Sequence, residues 1–123
     1  VGKQETEMIV FGYYGETRFV GVEGGRMEEI DGGSMGYEVN ETCLFVGDVE
    51  GGVVQITEAR VLIVSGGQRK AEWSCGARVC HASVCGAYVL VAIDGGVLWL
   101  LRIDANGIEP VGSCNVECEV SCV

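Results

Sequence analysis

Residues 87–103 read AYVLVAIDGGVLWLLRI, two apolar runs separated by Asp94, Gly95 and Gly96. The runs are short, rich in Val, Ile and aromatic residues, and bounded by turn residues, which favours two strands over one helix. Glycine readily adopts the positive φ angles that a tight hairpin requires. A strand with one solvated face alternates apolar and polar residues, so these continuous runs indicate that both faces of the sheet are covered.

The same arrangement of strands recurs along the chain. Each unit is predicted to contain a first strand, two strongly apolar strands and a charged last strand, and equivalent first strands start near residues 43, 79 and 117. A repeat of about 36–38 residues is the spacing of four-stranded propeller blades. The sequence therefore predicts an all-β fold, namely a partial β-propeller of about three four-stranded antiparallel blades.

The predicted blades form a single domain over residues 1–123. Blade one covers 7–30, blade two covers 42–74, blade three covers 78–112, and residues 117–123 are the leading strand of a next blade. The first unit lacks its own first strand, and three blades cannot close a ring. The chain is therefore expected to be an open arc with two exposed apolar blade faces. Such faces lead us to expect contact with the rest of a larger propeller, or self-association.

The composition excludes several classes of function. The chain has 123 residues, of which 48% are hydrophobic, and a formal charge of −10 from 18 acidic and 8 basic residues. This apolar content suffices for a real core and argues against a disordered segment. Binding the phosphates of DNA or RNA requires clustered Lys and Arg side chains, and the sequence shows no such cluster. No direct nucleic-acid binding is therefore predicted. No run approaches the roughly 20 apolar residues of a membrane-spanning helix, so no membrane association is expected.

The seven cysteines are predicted to be free, buried thiols, because their count is odd and most fall inside strands, where cysteine behaves as a small hydrophobic residue. A zinc site is one alternative, since Cys114, Cys118 and Cys122 recur every four residues. In a strand, however, Cys118 and Cys122 would lie about 13 Å apart, too far to share one ion. Cys80 and His81 are strand neighbours that point to opposite faces, which argues against a catalytic dyad. No metal or other cofactor is predicted.

The candidate interaction surface combines the longest polar stretch, residues 31–41, with the rim over residues 69–75. These segments look most exposed and least strand-like, and such segments often carry binding residues. The candidate contact residues in them are Met35, Tyr37, Arg69, Lys70 and Trp73. For Trp73 a packing role is the alternative. Trp99 lies inside an apolar run and is predicted to be core.

No catalytic residue is predicted, so the chain is not expected to be an enzyme. Asp31, Asp48, Asp94 and Asp104 all fall in predicted turns. Catalysis by paired carboxylates needs two of them to converge in a cleft, and nothing in the sequence indicates such convergence.

The order of short motifs resembles that of one family of large scaffolds built from three propellers. Each motif is weak alone, but their order and spacing over residues 5–123 are specific. They are Gly15-Glu16-Thr17-Arg18, Glu28-Glu29, Met35-Gly36-Tyr37, Val54-Gln55-Ile56-Thr57, Val61 to Ser65, Glu72-Trp73, Val89 to Ala92 with Gly95-Gly96 and Leu98, and Glu119-Val120-Ser121-Cys122. The family includes damaged-DNA-binding protein 1, the propeller subunit of splicing factor 3b and the largest cleavage and polyadenylation subunit. The matching region resembles the start of its second propeller.

This resemblance implies a non-catalytic nuclear scaffold, with the cytoplasm as an additional location. The Gly-Glu-Thr-Arg turn, the Gln-Ile-Thr strand and the closing Glu-Val-Ser-Cys look most like damaged-DNA-binding protein 1, whose second propeller docks the cullin of a ubiquitin ligase in DNA repair. The implied partners are therefore a cullin-type ligase or, in the other branches, subunits of the pre-mRNA splicing or 3′-end processing machinery. The Asp94-Gly95-Gly96 hairpin looks about equally like the splicing subunit. Family members are much longer, and none of their contact residues maps onto a motif identified here.

Two other interpretations of the function, neither of which is a propeller scaffold, stay open. One is a stand-alone β-sandwich that binds a small ligand, and the other is a cysteine-dependent redox or metal protein. The first is distinguished by geometry, because the two sheets of a sandwich lie nearly parallel about 10 Å apart whereas blades radiate from an axis.

Overall fold

The computed structural model describes residues 7–104 and 106–115, and these residues form eleven strands in three antiparallel sheets. The strands are β1 Glu7–Tyr13, β2 Glu16–Glu23, β3 Arg26–Ile30, β4 Cys43–Val49, β5 Gly52–Thr57, β6 Val61–Ser65, β7 Gln68–Trp73, β8 Val79–Cys85, β9 Tyr88–Ile93, β10 Val97–Asp104 and β11 Gly107–Asn115. Sheet 1 contains β1 to β3, sheet 2 contains β4 to β7 and sheet 3 contains β8 to β11. Every strand pairs with its neighbour in sequence, so each sheet is a simple meander.

These sheets confirm the predicted all-β fold of a partial propeller. Sheets 2 and 3 have four strands each and sheet 1 has three, instead of the two facing sheets of a β-sandwich. The predicted first strands near residues 43 and 79 begin at Cys43 and Val79. The third, over residues 117–123, lies outside the described residues. The last described strand runs to Asn115, beyond the predicted end of the third blade at residue 112.

The charged last strands lie at the edges of their sheets. Among the described strands, β3 and β7 each pair with one neighbour only and expose most of their side chains. Pro110 lies in the edge strand β11, where its missing N–H costs no ladder hydrogen bond. The pairing of β10 with β11 shifts there, because Leu101 opposes Pro110 whereas Leu100 opposes Gly112. The proline is thus accommodated at a bulge on a free edge.

The larger core lies between sheets 2 and 3. Alternate residues of the middle strands meet there and are almost fully buried: Val54, Ile56, Val61 and Ile63 from sheet 2, and Val89, Val91, Leu101 and Ile103 from sheet 3. Trp73 and Trp99 close one side of this core, with ring centroids 5.5 Å apart in an edge-to-face arrangement. Trp99 is partly buried and packs against this core, and Trp73 has the packing role that was considered for it.

The smaller core lies between sheets 1 and 2. Phe19, Tyr37, Leu62 and Val64 are its buried members. Because Val61 and Ile63 belong to the larger core, β6 is buried on both faces, which confirms the interpretation of its continuous apolar run. The outward side chains of β1 are exposed, as expected for an end face of an open arc. No helix long and apolar enough to cross a membrane occurs in residues 7–104 and 106–115.

Candidate protein-interaction surface

The connection between sheets 1 and 2, residues 31–42, is anchored by an aromatic pair. Tyr37 is 6% exposed, and its ring centroid lies 4.7 Å from that of Phe19. The expectation that Tyr37 belongs to an exposed contact surface is therefore wrong. The segment looks like a polar surface loop in sequence, but it inserts its one aromatic residue between the sheets, where burial of the ring stabilises the fold.

A short turn brings this connection against the edge of sheet 2. A single 3₁₀ turn, Gly33–Met35, ends at Gly36, which has a left-handed φ of 96°. A Cβ at position 36 would lie 2.7 Å from the backbone nitrogen of Arg69, so a side chain is excluded by space as well as by conformation. The backbone of the connection therefore touches the backbone of β7 directly.

Gln55 fastens the middle of the connection. Its side chain is fully buried, its Oε1 accepts a hydrogen bond from the backbone N–H of Glu38 at 2.8 Å, and its Nε2 donates to the Glu38 carbonyl at 2.8 Å. The amide thus imitates the paired hydrogen bonds of a β-ladder. The sequence analysis missed this residue as a determinant of the surface. A glutamine inside the apolar strand VVQIT was the signal, because a buried amide needs partners.

Two buried threonines fasten the end of the connection to both sheets. The backbone N–H of Thr17, in sheet 1, donates a hydrogen bond to the Val39 carbonyl at 2.9 Å, and the Thr17 hydroxyl donates to the Glu41 carbonyl at 2.6 Å. The hydroxyl of Thr57, in sheet 2, donates to the Glu41 carboxylate at 2.7 Å. Residues 38–41 are therefore held from both sides, and the carbonyls of Glu38, Val39 and Glu41 have hydrogen-bond partners although the segment has no strand of its own.

Ion pairs extend this fastening along the rim. The guanidinium of Arg60 contacts both carboxylate oxygens of Glu41, at 2.9 and 2.6 Å, and a carboxylate oxygen of Glu72 at 2.9 Å. Its hydrogen bonds to Glu41 raise the pKa of Arg60. Arg69 donates from Nε to the Gly36 carbonyl at 3.0 Å and from Nη1 to Glu72 at 2.9 Å. Arg69, a candidate contact residue, thus also joins the connection to β7 within the chain.

The structure divides the five candidate contact residues between two junctions. Met35 and Tyr37 line a depression of about 330 Å³ between the connection and sheet 2, beside the turn at Gly66 and Gly67. Arg69 lies next to them through its bond to Gly36. We call Met35, Gly36, Gly66, Gly67 and Arg69 the junction patch. Lys70 instead lines a cavity of about 410 Å³ at the junction of sheets 2 and 3, with Asp104 of β10 and Asn106 of the turn that follows it. Trp73 packs on Trp99 at the same junction.

A groove lies between β1 and β4. Its volume is about 760 Å³, and its walls come from residues 8–10 and Gly12 of β1, residues 43–48 of β4 and Val53 of β5. Strand β1 pairs only with β2, and β4 pairs only with β5, among the described strands. The groove therefore runs along two strand edges that carry unpaired backbone groups, which can accept an additional strand.

A second cluster of charges joins sheets 2 and 3 beside the larger core. Arg78 donates to Glu58 at 2.7 Å and lies 3.4 Å from the carboxylate of Asp94, which also accepts a hydrogen bond from the Cys80 thiol at 2.7 Å. The bond from Arg78 lowers the pKa of Glu58, and the bond from Cys80, with a further contribution from Arg78, lowers the pKa of Asp94.

These lowered pKa values predict a loss of stability in acid. A carboxyl group whose folded pKa is below its unfolded pKa stabilises the fold above the unfolded value, about 4, and this contribution disappears as the pH falls through the folded value. We expect the urea midpoint to fall between pH 6 and pH 3 more steeply in the parent chain than in Arg78→Met. Arg26→Met, which removes an exposed arginine with no ion pair in the described structure, is the matched control. Equal slopes for the parent and Arg78→Met would contradict the prediction.

The cysteines are less buried than the sequence analysis predicted. Within the described residues, Cys43, Cys75, Cys85 and Cys114 are free thiols, and the thiol of Cys80 donates a hydrogen bond to Asp94. Cys43, Cys75 and Cys80 are half-buried, while Cys85 and Cys114 are exposed. Cys75 follows β7. Cys85 ends its strand and Cys114 lies in an edge strand, so no neighbouring described element covers Cys85 and Cys114. Cys118 and Cys122 lie outside the described residues. No cluster of three or more His, Cys, Asp or Glu side chains suited to a metal ion occurs in the described part of the chain.

Comparison with known families gives one match. A family model described as the RSE1/DDB1/CPSF1 second beta-propeller matches residues 4–123, which include every described strand. Thr17, Gln55 and Thr57, which belong to the motifs that carry the resemblance, are the buried residues that fasten the connection. The shared motifs are therefore residues that hold this fold together.

Proposed function

We propose that this chain, which belongs to the RSE1/DDB1/CPSF1 second-propeller family, works as a non-catalytic protein-interaction segment of a scaffold. The locked connection of residues 31–42 carries the proposal. A loop that lacks fixed partners loses conformational freedom when it binds, and this loss weakens binding. Here Gln55, Thr17 and Arg69 hold the loop before any partner arrives. The junction patch is thus a preorganised surface.

We infer that the partner class is the cullin of a ubiquitin ligase acting in DNA repair, in the nucleus. Support comes from the Gly15–Arg18 turn and the Gln55–Thr57 segment, which look most like damaged-DNA-binding protein 1. A second candidate is a role in pre-mRNA splicing or 3′-end processing, which the Asp94-Gly95-Gly96 hairpin favours to a similar extent. Because the first two motifs act in packing, they support the fold more strongly than they support the choice between these branches.

Binding to a purified cullin N-terminal domain tests this proposal. We expect weak binding by this chain alone, with a Kd of about 10 µM or higher, because one arc supplies only part of a standard interface. Met35→Glu should weaken it about fivefold or more, since a charge would enter the depression between the connection and sheet 2. Submicromolar binding by this chain alone would contradict the need for further blades.

The matched control is Arg26→Glu on the exposed edge strand of sheet 1, which changes charge away from the junction patch. It should leave the affinity within about twofold of the parent, as expected for a remote exposed charge. If Met35→Glu and Arg26→Glu bind equally well, the junction patch is not the contact surface. Binding of a purified splicing subunit in place of the cullin would favour the second candidate.

Nucleic acid should not bind tightly to this chain. The formal charge of −10 opposes the approach of phosphates, and the rim arginines Arg60 and Arg69 are already paired with carboxylates. Fluorescence anisotropy with duplex DNA and with RNA, both at about 150 mM salt, should give a Kd above about 100 µM. A submicromolar Kd for either would contradict the proposed role as a protein-interaction segment.

A further inference from the structure

Asn106 and Gly107, at the hairpin between β10 and β11, form the only Asn-Gly pair in the sequence. Asparagine before glycine is chemically labile, because glycine has no side chain to hinder attack by its own backbone nitrogen on the asparagine amide. Gly107 has a φ of 132°, a conformation that other residues rarely adopt, so the turn requires this glycine. Only glycines have a positive φ in the described part of the chain, so the backbone does not require asparagine at position 106.

The side chain of Asn106 is unrestrained. The residue is exposed, and its side-chain amide has no hydrogen-bond partner among the described residues. The backbone N–H of Asn106 donates to the Asp104 carboxylate at 2.8 Å, a bond that holds the turn without engaging the amide group. Rotation about the side-chain bonds can therefore bring Cγ of Asn106 to the nitrogen of Gly107, the next residue in the chain.

The structure restrains the two chemically related Asp-Gly pairs of the chain, which can form the same kind of cyclic imide. Gly32, which follows Asp31, is buried, and a Cβ there would lie 2.3 Å from the ring of Phe19. The carboxylate of Asp94 accepts a hydrogen bond from the Cys80 thiol at 2.7 Å. Ring closure at either aspartate would first have to disrupt these contacts, whereas closure at the Asn-Gly pair breaks no side-chain contact.

We propose that Asn106 is a site of spontaneous deamidation in the folded chain. The amide nitrogen of Gly107 loses its proton and forms a bond to Cγ of Asn106, the bond from Cγ to Nδ2 breaks, and Nδ2 leaves as ammonia with that proton. Water then opens the resulting cyclic imide at one of its two carbonyls. Breaking the bond to Cγ gives aspartate, and breaking the bond to the backbone carbonyl gives isoaspartate. The reaction consumes only water and releases only ammonia.

The product adds a negative charge to the cavity at the junction of sheets 2 and 3. Asn106 lines this cavity together with Asp104 and Lys70. In the described structure Lys70 makes only a 3.4 Å contact with Gln68, so its ammonium group can pair with the new carboxylate. Because Lys70 is a candidate contact residue, a modified molecule presents a changed surface to a partner. This consequence rests on the proposed interaction role, whereas the reaction itself does not.

Isoaspartate also lengthens the backbone of the hairpin, because the chain then runs through the former side chain. Gly107 lies opposite Asp104, and Ile108 lies opposite Ile103, which is almost fully buried in the larger core. The turn sets the register of a hairpin, so an additional backbone atom there strains the first pairs of β11. The modification therefore changes both the charge of the cavity and the pairing of the edge strand.

Incubation of the chain at mildly alkaline pH, followed by peptide mapping with mass spectrometry, tests the proposal. The peptide that contains Asn106 should gain the mass difference between a hydroxyl and an amino group, and a protein isoaspartyl methyltransferase should label it. Asn106 should react at least about tenfold faster than Asn40, which precedes a glutamate, and this ratio corresponds to a barrier lower by about 1.4 kcal/mol. The rate should rise with pH, because the attacking nitrogen must lose its proton.

Asn106→Gln is the blocking variant, because its longer side chain closes a larger ring more slowly, and it should abolish the mass gain and the label at this hairpin. Asn40→Gln is the matched control and should leave both unchanged. Circular dichroism checks that both variants fold, and the measurement on the parent chain depends on neither. The proposal is overturned if Asn106 reacts only in the urea-unfolded chain, if it reacts no faster than Asn40, or if isoaspartate forms first at Asp31 or Asp94.

Discussion

Phe19→Ala is expected to lower the free energy of unfolding by about 3–5 kcal/mol, the usual range for removing a fully buried aromatic ring. Phe19 is 1% exposed and lies at the centre of the smaller core. A Cβ at Gly32 would lie 2.3 Å from the ring, so the backbone of the connection packs directly against Phe19 and leaves no room for a side chain at position 32. The cavity left by alanine would also deprive Tyr37 of its ring contact. Urea unfolding followed by circular dichroism measures the loss.

This loss would be a large part of the 5–15 kcal/mol that typically stabilises a domain. Tyr14→Ala is the control, because Tyr14 is fully exposed in the turn after β1 and its removal should change stability by less than about 0.5 kcal/mol. If Phe19→Ala costs no more than Tyr14→Ala, sheet 1 does not pack on sheet 2 as described here.

The strands could be predicted from the sequence because their signals are local. Apolar runs such as Val61–Val64 and turns such as Gly66-Gly67 lie within a few residues of each other. These patterns match the position of β6, Val61–Ser65, and of the turn that follows it. The 36-residue distance between the starts of β4 and β8 then indicated blades. Local patterns also placed Pro110 at a sheet edge. None of these inferences depends on knowing a distant contact.

The candidate surface was predicted less well because its determinants are distant in sequence. Residues 31–41 look like an exposed loop, since nothing local satisfies their backbone or buries Tyr37. The partners of this segment are Thr17, Gln55 and Arg69. A polar residue inside a strand can be recognised from the sequence, but which backbone group it binds depends on how the sheets pack. The same limit explains the cysteines, whose burial depends on neighbours that an end sheet lacks.

Gln55→Leu is expected to lower the free energy of unfolding by about 2–4 kcal/mol, although leucine has a similar volume and is apolar. The substitution removes both hydrogen bonds to the Glu38 backbone and leaves an N–H and a carbonyl without partners in a partly buried site. Each such group costs about 1–3 kcal/mol. Hydrogen exchange should therefore show faster exchange at the amide of Glu38, and urea unfolding should show the lower midpoint.

Gln68→Leu provides the control, because Gln68 is exposed on β7 and makes only a 3.4 Å contact with Lys70. It should change stability by less than about 0.5 kcal/mol. The two variants also separate packing from function. If Gln55 preorganises the junction patch, Gln55→Leu should weaken cullin binding even under conditions where the variant is fully folded, whereas Gln68→Leu should not. Slow exchange at Glu38 in the Gln55→Leu variant would show that the connection holds its conformation without this side chain, and the argument from preorganisation would then fail.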